Sequence, residues 1–85
     1  MILHTTEVTH VPGYRLFVRF NNGEADEVDL SEELEGEVFE ALRDPKVFAT
    51  AYHHPLMRTV AWSTGADLVP EFLLELLCRT RGRAA

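Results

Sequence analysis

From Tyr14 to Phe20 the chain alternates, with Tyr14, Leu16, Val18 and Phe20 on one parity and Arg15, Phe17 and Arg19 on the other. A period of two is that of a strand with one apolar face. Asn21-Asn22-Gly23 follows, and Asn and Gly tolerate the positive φ of a tight hairpin turn. Between Glu24 and Leu30 the pattern puts Val28 and Leu30 on one face, Glu27 and Asp29 on the other. That is the second arm of a hairpin. Upstream, Thr5 to Val11 is rich in Thr and Val and stops at Pro12-Gly13, which predicts a first strand and a three-strand meander.

The period changes after Ser31. Ser31 followed by Glu32, Glu33 and Leu34 reads as a helix start, its acids near the positive end of the dipole. Gly36 interrupts it, and Val38, Phe39 and Leu42 predict a short helix that ends before Asp44-Pro45. Phe48 and Tyr52 read as anchors that pack this region onto the sheet. Leu56 to Trp62 alternates again and predicts a strand, and Ser63 to Ala66 a turn. Asp67-Leu68-Val69 reads as a short final strand. Pro70 suits the first turn of a helix running to about Cys78. Phe72, Leu73, Leu74, Leu76, Leu77 and Cys78 leave only Glu71 and Glu75 polar there, so part of this helix is expected to stay exposed for a partner.

The expected class is therefore α+β: a small, mostly antiparallel four- or five-stranded sheet, a short middle helix and a C-terminal helix. One domain would span residues 1–78, with 79–85 as a frayed basic tail. At 85 residues the chain is small enough that stability is modest and dimerisation would add to it.

Charge narrows the function. The chain carries 14 Asp+Glu against 8 Lys+Arg, net −6, which argues against a nucleic-acid partner, since such modules present a basic stripe to phosphates. No apolar run reaches the roughly 18 residues of a membrane span, and Met1-Ile2-Leu3-His4 lacks the features of a signal peptide. The single cysteine rules out an internal disulfide and suits a reducing, cytoplasmic setting. Neither a membrane nor a cofactor is expected.

The chemistry-bearing residues make no catalytic set. His53 and His54 are adjacent, so in a strand they point to opposite faces, and no Cys-x-x-Cys or His-x-x-x-His spacing exists. Cys78 falls near a helix C-terminus, where the dipole disfavours a thiolate, and reads as a buried structural thiol. Arg15 and Arg19 share a strand face and are expected to pair with acids across the hairpin; the alternative is a phosphate or carboxylate site that Arg58 joins from another strand. The acids are more distinctive. Glu24, Asp26, Glu27, Asp29, Glu32, Glu33, Glu35, Glu37 and Glu40 follow one another with no Lys or Arg among them. Catalysis needs carboxylates in unlike environments, which a dense run does not offer; a solvated surface, or an acidic patch for a basic partner, does fit it. Trp62, Gly65, Asp67 and Pro70 form a structural group. Trp62 is expected to supply core area while its N–H meets a carbonyl, and the Asp67 carboxylate to accept backbone N–H bonds at the start of the last helix.

Phe20-Asn21-Asn22-Gly23-Glu24, Val28-Asp29-Leu30, Leu42-Arg43-Asp44-Pro45 with Phe48, Val60-Ala61-Trp62, and Gly65-Ala66-Asp67-Leu68 with Pro70-Glu71 occur in an order that resembles the bacterial domain of unknown function 2442. The resemblance spans roughly residues 5 to 77 and departs from the family at Ser63-Thr64, where Pro-Asn is usual. It implies an α+β fold and no established reaction. Many relatives neighbour another short protein, an arrangement similar to toxin–antitoxin pairs. The expectation is a non-catalytic protein-interaction module, the partner or antagonist of a small basic protein encoded nearby, with Glu24, Asp26, Glu27, Glu32, Glu33, Glu35 and Glu37 as its contact residues, and a homodimer through the last helix. The alternative is a small-molecule-binding regulatory domain with a pocket between sheet and helix near Trp62.

Overall fold

The structure, a computed structural model, describes residues 2–84, with side chains described through residue 79. Strands β1 (Thr5–Val11), β2 (Arg15–Phe20) and β3 (Ala25–Asp29) form an antiparallel meander with β2 in the centre. The alternation seen in the sequence sorts the side chains as expected. Leu16, Val18, Phe20, Val28 and Leu30 are buried, while Arg15, Arg19, Glu27 and Asp29 face out. The β2–β3 loop closes with the Gly23 N–H donating to the Phe20 carbonyl (3.2 Å) and the Phe20 N–H to that of Glu24 (2.8 Å). Gly23 takes φ 93, the left-handed position that such a three-residue loop requires.

The protein is α+β, as the patterning predicts, but the five strands divide into two sheets. β4 (Tyr52–His53) and β5 (Val60–Ala61) make a separate two-residue ladder. Thr5 joins the sheets. Its N–H and its hydroxyl both donate to the Arg58 carbonyl (2.9 and 3.2 Å), and its own carbonyl accepts from His53 Nε2 (2.8 Å). Thr5 is fully buried, and this use of every polar group it has is what makes a buried threonine acceptable.

Four other expectations change. No helix starts at Ser31: residues 31–33 form a turn in which the Glu33 N–H donates to the Leu30 carbonyl (2.9 Å), and Leu34 enters the core. The helix α1 (Glu37–Glu40) begins only after Gly36, at φ 89, and passes through a 3₁₀ turn (Ala41–Arg43) into α2 (Pro45–Phe48). There Asp44 Oδ1 caps the Lys46 N–H at 3.0 Å. The strand expected from Leu56 to Trp62 shrinks to Val60–Ala61, because residues 55–57 form a turn. Asp67 contributes only a single bridge to Ala61 instead of a further strand. Finally, α3 (Pro70–Ala84) continues past Cys78 through residues 79–84, expected as a tail; Arg and Ala are strong helix formers that carry the pattern over Gly82. Ala85 lies outside the described residues.

The inner face of the three-stranded sheet packs with Leu42, Phe48, Val60, Trp62, Leu73, Leu76 and Leu77 in one apolar cluster. Leu73, Leu76 and Leu77 are buried within this chain, while Phe72 and Leu74 of the same helix are only partly buried. Cys78 is exposed, not buried: it follows Leu77 by one residue, a rotation of about 100° around the helix. We expect it to react stoichiometrically with a thiol reagent under native conditions, at a rate that adding denaturant does not raise; a thiol silent until unfolding would place it inside.

Candidate interaction site

The structural group gathers at one corner of the core. Trp62 is 2% exposed, and its indole N–H donates to the Phe48 carbonyl at 3.0 Å. The Phe48 ring lies within 5.8 Å of Trp62, 5.4 Å of Tyr14 and 5.7 Å of His10, centroid to centroid. The Tyr14 hydroxyl in turn donates to the Arg43 carbonyl. Gly65, at φ 93, repeats the loop of Gly23: its N–H donates to Trp62, and the Trp62 N–H to Ala66 (both 2.9 Å). The departure at Ser63-Thr64 leaves this turn intact, with Ser63 Oγ bonded to Thr50 Oγ1 at 3.0 Å. Pro70 opens α3. Asp67 does not act as expected. Among the described residues its carboxylate accepts no backbone N–H; the Val69 carbonyl accepts from Phe72 and Leu73 instead (3.1 and 3.3 Å). With the only donor of Trp62 used internally, that side chain keeps no polar handle for a ligand.

The structure divides the acidic run. Glu24, Asp26, Glu27 and Asp29 belong to the hairpin and are engaged there. Glu27 pairs with Arg15 at 3.3 Å, and Asp26 Oδ1 accepts the Glu27 N–H at 2.8 Å. By the ladder alternation that N–H points away from β2, so the aspartate blunts an otherwise open sheet edge. Glu33 reaches Arg79 at 3.9 Å. Glu32, Glu35, Glu37 and Glu40 are exposed and, among the described residues, form no ion pair. Val38, 62% exposed, sits among them.

The arginines do not assemble into an anion site. Arg15 pairs with Glu27, and Arg19 with Glu7 at 3.3 Å while lying 5.7 Å from the Phe17 ring centroid. Half-exposed pairs of this kind contribute about 0–1 kcal/mol each, but they neutralise the outer sheet face. Arg58 is elsewhere, in the β4–β5 turn. No group of three or more His, Cys, Asp or Glu among the described residues is arranged to hold a metal, and none of their helices is long and apolar enough to cross a membrane.

The β4–β5 turn is the feature that the sequence pattern missed. His54 Nδ1 accepts the N–H groups of both Leu56 (3.2 Å) and Met57 (3.1 Å), and the Arg58 N–H donates to the His54 carbonyl (2.8 Å). Arg58 has φ 52, which costs a residue bearing Cβ about 1–2 kcal/mol. The two bonds from Thr5 to its carbonyl hold it there. This scaffold leaves Leu56 87% and Met57 49% exposed, with Tyr52 at 43% beside the base of the hairpin. The sequence signal for the turn was His54-Pro55; the alternation that follows it imitates a strand.

Comparisons with known proteins agree on the fold. No curated protein matches the chain. The crystal structure of a "putative DNA binding protein" from Nitrosomonas europaea is similar, with a TM-score of 0.79, 22% identity and 96% of this chain covered. The chain spans about half of that protein, 53% of its length. At this identity the likeness concerns the fold alone. A family model matches residues 5–77, the extent over which the sequence motifs run, and by that match the chain belongs to the family described as Protein of unknown function (DUF2442).

Proposed function

We propose that the protein is a non-catalytic interaction module that docks a basic protein surface through the segment from Glu32 to Glu40. One observation carries this reading: Glu32, Glu35, Glu37 and Glu40 are exposed and, among the described residues, not ion-paired, in a stretch without a cation. Hairpin and helix acids such as Glu27 and Glu75 are matched to arginines. A one-signed surface of this kind accelerates encounter with a cationic partner and excludes an anionic one. Nucleic acid is such an anion, and the neutralised outer sheet face gives it no positive platform. The DNA-binding name of the Nitrosomonas protein is therefore not extended to this chain.

The test is co-purification of the tagged full-length protein from its own host at low and high salt, beside a variant carrying Glu32→Lys, Glu35→Lys, Glu37→Lys and Glu40→Lys. The expected result is a stoichiometric basic partner, retained at low salt and lost in the variant. All four positions lie outside the core, so the variant should fold, which its circular dichroism would verify. Recovery of the same partner by the folded variant, or binding insensitive to salt, would overturn the proposal.

A further inference from the structure

The tip of the β4–β5 hairpin is built with more backbone bonds than a plain turn needs, and what it presents is apolar. Its two N–H bonds to His54 Nδ1 and the pinned carbonyl of Arg58 fix the orientation of Leu56 and Met57. A tip fixed in advance loses less conformational freedom when it is bound. Arg58, the cation of the same turn, has no ion pair among the described residues, although the chain holds nearly twice as many acids as bases.

We propose that this tip docks onto the α1 region of a second copy of the chain. The proposal rests on the reading of the acidic segment given above and names one surface that fits it. The two patches are complementary. One joins Leu56 and Met57 to Arg58; the other sets exposed Val38 between Glu37 and Glu40, with Glu35 just before them. Like patches do not suit each other. Tip against tip brings two Arg58 side chains together, and α1 against α1 confronts Glu37 and Glu40 with themselves, both repulsive. Only the crossed arrangement pairs apolar with apolar and cation with anion. It closes as a dimer when each copy gives its tip to the other's α1, or propagates as a chain when the rotation does not close. Two or three apolar side chains bury little area, so the association is weak and shows itself at high concentration and low salt.

Sedimentation velocity of the purified full-length protein, from about 10 μM to about 1 mM, spans the range in which so small a contact would form. The expected result is a mass that rises above 9.7 kDa with concentration and falls with salt. Arg58→Glu and, separately, Leu56→Ser should each weaken association about tenfold or more. Combining Arg58→Glu with Glu37→Arg and Glu40→Arg should restore it. Leu56→Ser alters a side chain exposed to solvent, which keeps the test valid should Arg58→Glu fail to fold. A single 9.7 kDa species at every concentration would overturn the proposal, as would association that Arg58→Glu leaves unchanged or strengthens. A monomeric wild type whose four-lysine variant still loses a partner in the host would defeat self-docking and leave the interaction module standing.

Discussion

Replacing Trp62 by alanine is expected to remove about 3–5 kcal/mol of stability, the range for deleting a large aromatic from a packed interior. Two losses combine. The cavity lies where the Trp62 ring meets Phe48, itself in contact with Tyr14 and His10, and the Phe48 carbonyl loses the donor 3.0 Å away. A domain of this size holds roughly 5–15 kcal/mol in all at best, so the melting temperature should fall by about 15 °C or more, and the variant is expected to be partly unfolded on heating to body temperature. Trp62→Phe separates the two terms. It keeps most of the ring while leaving the carbonyl without its indole partner, and should cost less than the alanine. Thermal melts followed by circular dichroism read both, and a Trp62→Ala melt like that of the wild type would show that this residue does not hold the core.

Leu77→Ala should destabilise by about 2–5 kcal/mol, and how the effect depends on concentration matters as much as its size. Leu77 is fully buried within one chain, together with Leu73 and the inner face of the sheet. Its loss should shift the denaturant midpoint equally across about a hundredfold range of protein concentration ending near about 10 μM, below the range in which the proposed tip–α1 contact forms, because Leu77 faces the core of its own chain. A helix that served as a dimer interface behaves differently: its midpoint would move with concentration in the wild type and cease to do so in the variant. Urea titrations at the two ends of that range distinguish these outcomes.

Much of the fold was legible in the sequence because neighbours in the chain decide it. In the meander, alternation assigned Leu16, Val18, Phe20 and Val28 to the core, and the structure puts them there. Asn21-Asn22-Gly23 specified a loop whose glycine must take a positive φ. Trp62 was readable as a core residue with a satisfied N–H, though not which carbonyl would satisfy it. The errors share a cause. Leu56 to Trp62 and Ser31 to Leu34 both carry the right local period for an element, yet contacts with other segments decide each of them. Thr5 reaches 53 residues along the chain to fix Arg58, and residues 31–33 form a turn that carries Leu34 into the core.

The candidate site divides in the same way. Composition showed an acidic run free of Lys and Arg, since charge is additive and needs no geometry. Which of its carboxylates are already matched is a question of distance, and only tertiary structure brings Arg15 to Glu27 and Arg79 to Glu33. The apolar tip was invisible for a related reason: exposure is a property of what packs nearby, and a leucine in an alternating run looks the same whether a core receives it or not. The sequence alone determined the class of the fold, the faces of the two hairpin strands and the sign of its charge, all set by local periodicity and by sums. Tertiary structure decided the split into two sheets, the burial of one face of α3, the exposure of Cys78 and Leu56, and which acids meet an arginine, because each depends on contacts between segments that the chain brings together only when it folds.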